Sequence, residues 1–221
     1  QHANTDLQIS EWSDRKKLRL EKKALGLYLT AHPSSLYTKD LNSFGVTPIA
    51  QLSDNTTKLA GLVVAKKVIA KNNRTIVMIL LEDASGKTRI SVFSEKYEQY
   101  RELIEVDQFL VLSGKTRDDK FRGGLAFQVE TILNLVEART KHAKALQLIL
   151  DNSEQHGNFM HQLDKNLQPY IAKSSLPVQI NYTNSIANAT LLLGKQWQIQ
   201  PTDALLDSLD EAIGVGKSQL I

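Results

Sequence analysis

The sequence predicts a mixed β and α+β chain. It reads as a five-stranded Greek-key barrel, preceded by a helical segment and followed by a small α/β domain. Three observations carry this. Apolar runs rich in Val, Ile and Leu, separated by short polar turns, recur between residues 58 and 138. A single stretch of helical period falls between the third and fourth of these runs. After about residue 140 the composition shifts toward Gln, Asn and His, and strand-like and helix-like stretches alternate.

The bulk numbers set the frame. The 221 residues are 42% hydrophobic and 23% charged, which suits one or two globular domains. The net charge is only +3 and the sequence pI is near 8.9, a mild basic excess that permits nucleic-acid binding without arguing for it. The absence of cysteine excludes disulfides, zinc-thiolate sites and thiol nucleophiles, and fits a cytoplasmic location. No apolar run approaches the ~20 residues of a membrane span. The opening "QHANTDLQISEW" has no signal-peptide pattern and no initiator methionine, so a piece of a longer protein is expected.

In order along the chain, residues 13–30 read as a helix capped by Ser13, with Leu18, Leu25 and Leu29 at roughly helical spacing. Its cations Arg15, Lys16, Lys17 and Arg19 read as a solvated face. Pro33 ends it, because His32 is biased away from helical angles. Residues 34–52 are connecting chain.

"KLAGLVVAKKVIA" from residue 58 is a long strand, with Gly61 marking a bend or bulge. A polar turn, 71–74, leads to a second strand at 75–83, and the turn 84–87 to a third at 88–93. In that third strand Thr88, Ile90 and Val92 face one way, and Arg89, Ser91 and Phe93 the other. "SEKYEQYRELIEV" is helical, capped by Ser94, with Tyr97, Tyr100 and Ile104 on one face. "QFLVLSGKT" is a fourth strand. The charged loop "RDDKFRGG" leads to a fifth, 125–138. Three strands, a helix and two strands are the layout of an OB-type barrel.

In the last part, "ALQLIL" is a short strand and 158–171 a helix. "LPVQINYT" and "ATLLLGKQWQIQ" form paired strands, and 201–214 is an amphipathic helix with Leu205, Leu206, Leu209 and Ile213 inward. The domains are expected at 1–52, 53–139 and 140–221.

The motif search is mostly negative. Gly214-Val215-Gly216-Lys217-Ser218 resembles the end of a phosphate-binding loop, but Glu211 stands where the first Gly belongs and the stretch follows a helix. It reads as a helix stop and a flexible tail. His156 and His161 are five apart, and Asp118-Asp119 sit in a Gly-flanked loop, so neither pair suggests a metal site. No catalytic constellation, metal site or cofactor is expected.

An OB barrel binds single strands on the face of strands 2 and 3, between the loops joining strands 1–2 and 4–5. That chemistry needs cations for phosphates and rings for stacking. The first loop offers Lys66, Lys67, Lys71 and Arg74. The second offers Lys115, Arg117, Lys120, Phe121 and Arg122, and the third strand adds Arg89. Phe121 is the expected stacking ring; Phe93 is expected in the core, under the helix that begins beside it.

"EKKALGLYLTAHP", residues 21–33, resembles a stretch of the alpha subunit of bacterial DNA polymerase III that precedes an OB domain, with Ala31 in place of the usual Gly. "AGLVVAKKVIAK", "LEDASGKTRISVFSEKYEQY", "FLVLSGK" and "DDKFRGGLAFQVETILNL" are similar to that family in order and spacing. The resemblance is strong from Trp12 to about Glu137 and weaker, but collinear, to the end.

This resemblance implies the C-terminal part of the replicative polymerase. The catalytic region with its magnesium ions would lie outside this chain, so the chain alone is not expected to be an enzyme. It implies an OB domain that binds single-stranded template. It also implies a last domain that docks the tau subunit of the clamp loader, through an apolar patch of Leu205, Leu209 and Ile213 or through the tail. Gln219-Leu220 would begin a weak sliding-clamp peptide, while "QHANTDLQI" does not match the family's internal one. Two other readings remain: a scaffold whose barrel only packs on neighbouring domains, and an OB-type anticodon binder.

Overall fold

The computed structural model describes residues 12–71, 74–119, 123–151, 156–183 and 188–221; of Lys71, Arg74, Asp151 and residues 156–159 it describes the backbone only. Helix α1 spans Asp14–Leu25. The Ser13 hydroxyl accepts from the Lys16 N–H, Asp14 sits at the positive end, and Lys22 and Lys23 at the negative end. The helix stops at Gly26, whose left-handed φ of 75° closes the last turn onto the Lys22 carbonyl, and so ends short of the expected Thr30. The connecting region holds two short helices, α2 (Pro33–Leu36) and α3 (Thr38–Ser43). Pro33 starts a helix there, with His32 Nδ1 accepting from the Ser34 N–H as its cap.

The barrel consists of β1 (Lys58–Lys71), β2 (Arg74–Asp83), β3 (Gly86–Phe93), α4 (Ser94–Tyr100), β4 (Phe109–Asp118) and β5 (Leu125–Asn134). It closes in the order β1-β2-β3-β5-β4, with the single parallel contact between β3 and β5. Its interior is filled by Leu59, Val63, Val77, Ile79, Leu81, Ile90, Val92, Leu110, Leu112, Phe127, Val129 and Ile132.

Two glycines let the barrel bend. A Cβ at Gly61 would run into the Glu82 carbonyl, and one at Gly114 into the Gln128 carbonyl. Gly114 lies opposite a bulge at Glu130 of β5; the bulge in β1 falls just beyond Gly61, between Val63 and Ala65.

Helix α4 plugs one barrel end with Tyr97 and Tyr100, and Ile104 is buried beyond it. The helix ends at Tyr100 rather than Val106. Ser94 does not cap it: its hydroxyl accepts from the Thr75 N–H at 2.8 Å and donates to the Thr75 carbonyl at 2.7 Å, tying the helix start to β2. Strand β5 also ends early, at Asn134. There Asn134 and Glu137 form a capping box and start α5 (Leu135–His142).

The last part is a two-layer α/β unit of β6 (Leu146–Asp151), α6 (His156–Leu167), β7 (Ile171–Leu176), β8 (Val178–Thr183), β9 (Asn188–Leu192), α7 (Asp203–Ile213) and β10 (Ser218–Leu220). Its sheet runs β10-β6-β8-β9, parallel only between β6 and β8. Both helices pack on the face that carries Leu146, Leu148, Val178 and Ile180. The expected strand after Ala189 stops at Leu192, and Lys195–Trp197 form a 3-10 turn instead. The tail expected to be flexible is strand β10, paired with Leu146–Leu148 of β6.

Polar contacts join the three parts. Buried Arg139 of α5 reaches Asp40 of α3 and Asp203 of α7, each at 2.8 Å, and the Pro201 carbonyl at 3.0 Å. The Tyr37 hydroxyl donates to the second Asp203 oxygen at 2.7 Å. Along α1, Arg15 pairs with Asp207 and Asp210, Arg19 with Asp207, and Lys16 with Glu211, all on α7. Lys22 reaches across to Asp107 beside the barrel. Three of the four cations expected on a solvated face, Arg15, Lys16 and Arg19, therefore clamp the last helix, while Lys17 lies beside Asp14 of its own helix.

Candidate nucleic-acid interface

The strand registers place one continuous row of side chains across the outside of the barrel. Lys67 of β1 pairs with Met78 of β2, Met78 with Ser91 of β3, Ser91 with Gln128 of β5, and Gln128 with Lys115 of β4. Directly paired residues share a face, and the neighbours Val77, Ile79, Ile90 and Val92 are buried inside, so this row points outward. On one side lies an apolar row, Ile69–Ile76–Phe93. On the other lies Ala65–Leu80–Arg89, and parallel register carries Arg89 toward Ala126, the partner of Arg117.

Phe93 is the feature that composition alone hid. It is 54% exposed, on the outer face with Ile69 and Ile76, and does not sit under α4 as expected. Its neighbour Ser94 turns the chain into the helix, so α4 covers the barrel end and leaves this ring outside. The strand's alternation already carried the signal, since Phe93 has the same parity as Arg89.

The predicted cations separate. Lys67, Arg89, Lys115 and Arg117 are exposed on the outside of the barrel, on β1, β3 and β4, and all four stand on strands, not in loops. Lys115 sits 3.3 Å from Glu130, a pair so exposed that it contributes little and can be exchanged for a phosphate. Lys66 has the opposite parity. It turns toward the barrel end, 2.7 Å from Glu105 and 5.4 Å from the Tyr97 ring centre, and is a structural cation, not a phosphate contact. Partial burial works against its charge, but the Glu105 and Tyr97 oxygens outweigh it and hold the pKa above the ordinary value. The Lys71 and Arg74 side chains, and Lys120, Phe121 and Arg122 altogether, lie outside the described residues.

The expected partner patch on α7 is corrected by burial. Leu205, Leu209 and Ile213 fill the core of the last unit, because the apolar stripe of the helix is the face that packs on β6 and β8. Gln219 and Leu220 are held in β10. Leu220 packs on that core and the Gln219 amide donates to Gln147, so neither extends as a free peptide. The apolar side chains this unit does expose at a sheet edge are Leu191 and Leu192 of β9. Among the described residues no group of three His, Asp or Glu side chains is placed to hold a metal, and no helix is long and apolar enough to cross a membrane.

Two family models match the chain. One, described as an OB-fold nucleic acid binding domain, covers residues 57–135. The other, the C-terminal domain of DNA polymerase III subunit alpha, covers residues 162–214. The chain is similar to the C-terminal part of the DNA polymerase III alpha subunit. The alpha subunit of Vibrio cholerae is 33% identical over 218 residues, and that of Haemophilus influenzae 33% over 224. These alignments take in 96% and 99% of this chain but 19% of either relative, so the chain spans about a fifth of the length of the alpha subunits it matches. The matched regions are the OB-fold and C-terminal domains, neither of them the catalytic region of the polymerase. The second OB-fold domain of replication protein A from Methanococcus maripaludis overlays 40% of this chain and 93% of its own, at 20% identity and a TM-score of 0.32.

Proposed function

We propose that this chain is a non-catalytic binding part of a cytoplasmic replicative polymerase, and that its barrel holds single-stranded template DNA. The observation that carries the reading is the outward surface of β1, β2 and β3. There the exposed Phe93 ring adjoins Ile69 and Ile76, with Lys67 and Arg89 on the same three strands, and Lys115 and Arg117 are exposed on β4, beyond β5. An aromatic ring among spaced cations suits bases that can stack and a backbone that can be neutralised, as in single-strand binding without base readout. A duplex hides its base faces and gains nothing from Phe93.

The last unit would dock the tau subunit of the clamp loader through its exposed surface, where Leu191 and Leu192 stand on edge strand β9. The magnesium ions of DNA synthesis would belong to the catalytic region outside this chain. The competing reading is a scaffold whose barrel only packs on other domains. It is favoured by Lys66 and Lys115 having carboxylate partners already.

Titration of the 221-residue chain with labelled single-stranded and duplex oligonucleotides at several salt concentrations tests the reading. Single-strand binding should exceed duplex binding and weaken with salt, with a slope of about −0.7 for each phosphate contact. No single-strand binding at low salt leaves the scaffold.

A further inference from the structure

We infer that α1 is a charge-held strap, a helix that lifts off the last unit as one body when its ion pairs are weakened, while the fold beneath it stays intact. The inference is independent of what the barrel binds. Among the described residues, none of the three apolar cores includes a side chain of α1, and Leu18, 3% exposed, is the one buried residue of that helix. Helix α7, by contrast, sends Leu205, Leu206, Leu209 and Ile213 into a core. An element that buries little apolar surface opens at a lower free energy than its surroundings.

What holds α1 is charge. Arg15 pairs with Asp207 and Asp210, Arg19 with Asp207 at 2.9 Å, and Lys16 with Glu211, while the Ser13 hydroxyl donates to Asp207 at 3.1 Å. Lys22 adds the pair with Asp107 at 2.8 Å. Asp207 and Asp210 are buried at this contact, and one Asp207 oxygen has no aligned hydrogen bond although Arg19 lies 2.9 Å away. Lifting the strap returns these carboxylates to water, which offsets part of the lost pairing. The packing under the helix is also incomplete. A cleft of about 340 Å³ lies between Leu18 and Tyr28 on one side and Pro33, Leu36 and Tyr37 on the other.

The strap has a defined end. The Glu21 carboxylate accepts from the Leu29 and Thr30 N–H groups, each at 3.1 Å, and from the Thr30 hydroxyl, so the turn after Gly26 travels with α1. Anchored chain begins at Ser34, whose buried hydroxyl accepts from the Ala84 N–H at 2.8 Å. Tyr37, Leu41 and Phe44 then pack with Ala60 and Val111 of the barrel. The pivot therefore falls within residues 31–33. Opening parts the chain that enters α1 from the last unit, while Arg139 keeps that unit on the barrel.

Hydrogen exchange of the 221-residue chain, read by mass spectrometry at about 0.1 M and about 1 M sodium chloride, tests the strap. Over that range the screening length falls from about 10 Å to about 3 Å. The amides of residues 18–25 should exchange roughly tenfold faster at the higher salt, as partly exposed pairs lose their hold, while those of α7 and β1 keep their rates. Arg15→Gln combined with Arg19→Gln should bring the low-salt exchange of residues 18–25 up to the high-salt rate and flatten its salt dependence. Leu18→Ala should speed exchange equally at both salts, because it removes packing and no charge. Salt-independent exchange of residues 18–25 in the unaltered chain overturns the strap, whether or not the variants fold. Exchange of α1 and α7 at one common rate overturns it too, since that is unfolding of the whole unit. Unchanged exchange in the double variant does the same.

Discussion

Arg139 and Asp203 lie 64 residues apart in sequence and 2.8 Å apart in space, and their ion pair fastens the barrel to the last helix. The Arg139 side chain is 1% exposed. Burial opposes its charge, but the Asp203 and Asp40 carboxylates outweigh that cost and hold the pKa above the ordinary arginine value. Removing the guanidinium leaves two carboxylates facing a buried gap. Arg139→Ala should therefore destabilise the chain by about 3–5 kcal/mol in urea unfolding. Arg139→Lys should recover only part of this, since an ammonium cannot reach both carboxylates with a planar fork. Wild-type stability in either variant would remove the hub from the account.

His32 makes the stability depend on pH. Burial lowers its pKa, with Glu82 and Asp83 opposing, and His142 is lowered by burial, Lys58 and Lys141. The unfolded chain thus takes up these protons at a higher pH than the folded chain. Stability is full above the ordinary imidazole value of 6.5 and declines as pH falls through the lower folded values. The proton at His32 also removes the acceptor that caps α2. His32→Asn offers an amide oxygen as a replacement cap that does not titrate. Unfolding between about pH 5 and pH 8 should show a shallower pH dependence in this variant. An unchanged profile would exclude His32 as a source.

Gly61 and Gly114 are required by backbone approach, not by local conformation. Either Ala substitution pushes a methyl into a carbonyl of the neighbouring strand. Each should cost about 1–3 kcal/mol or more, read as a lowered melting temperature, because a strand must move to make room. Gly123→Ala, with open space around it but a φ of 75°, should cost less. The reverse ranking would show that strand approach is not what these positions select.

The barrel was legible because its signals are local. Alternation in residues 88–93, glycines at the bends and a helix between two strand sets are each visible within a dozen residues. Phe93 was misplaced by weighing aromatic character above parity, although parity gave the answer. Asn134-x-x-Glu137 was a readable capping box lost inside an apolar run. The clamp of Arg15, Lys16 and Arg19 on α7 could not be read, since its partners lie 188 to 195 residues away. Strand β10 is three residues long, too short for any period to show.

The measurement closest to the central claim is single-strand binding by Phe93→Ala, beside Arg89→Ala and Lys66→Ala, followed by fluorescence anisotropy at two salt concentrations. Phe93→Ala should lose about 1–3 kcal/mol of binding with little change in salt slope, because a stacking ring carries no charge. Arg89→Ala should weaken binding and reduce the slope by about 0.7. Lys66→Ala should leave affinity unaltered, since that lysine faces Glu105. Unchanged affinity in both Phe93→Ala and Arg89→Ala would contradict the assignment of the outer β1–β2–β3 face as the DNA-binding surface.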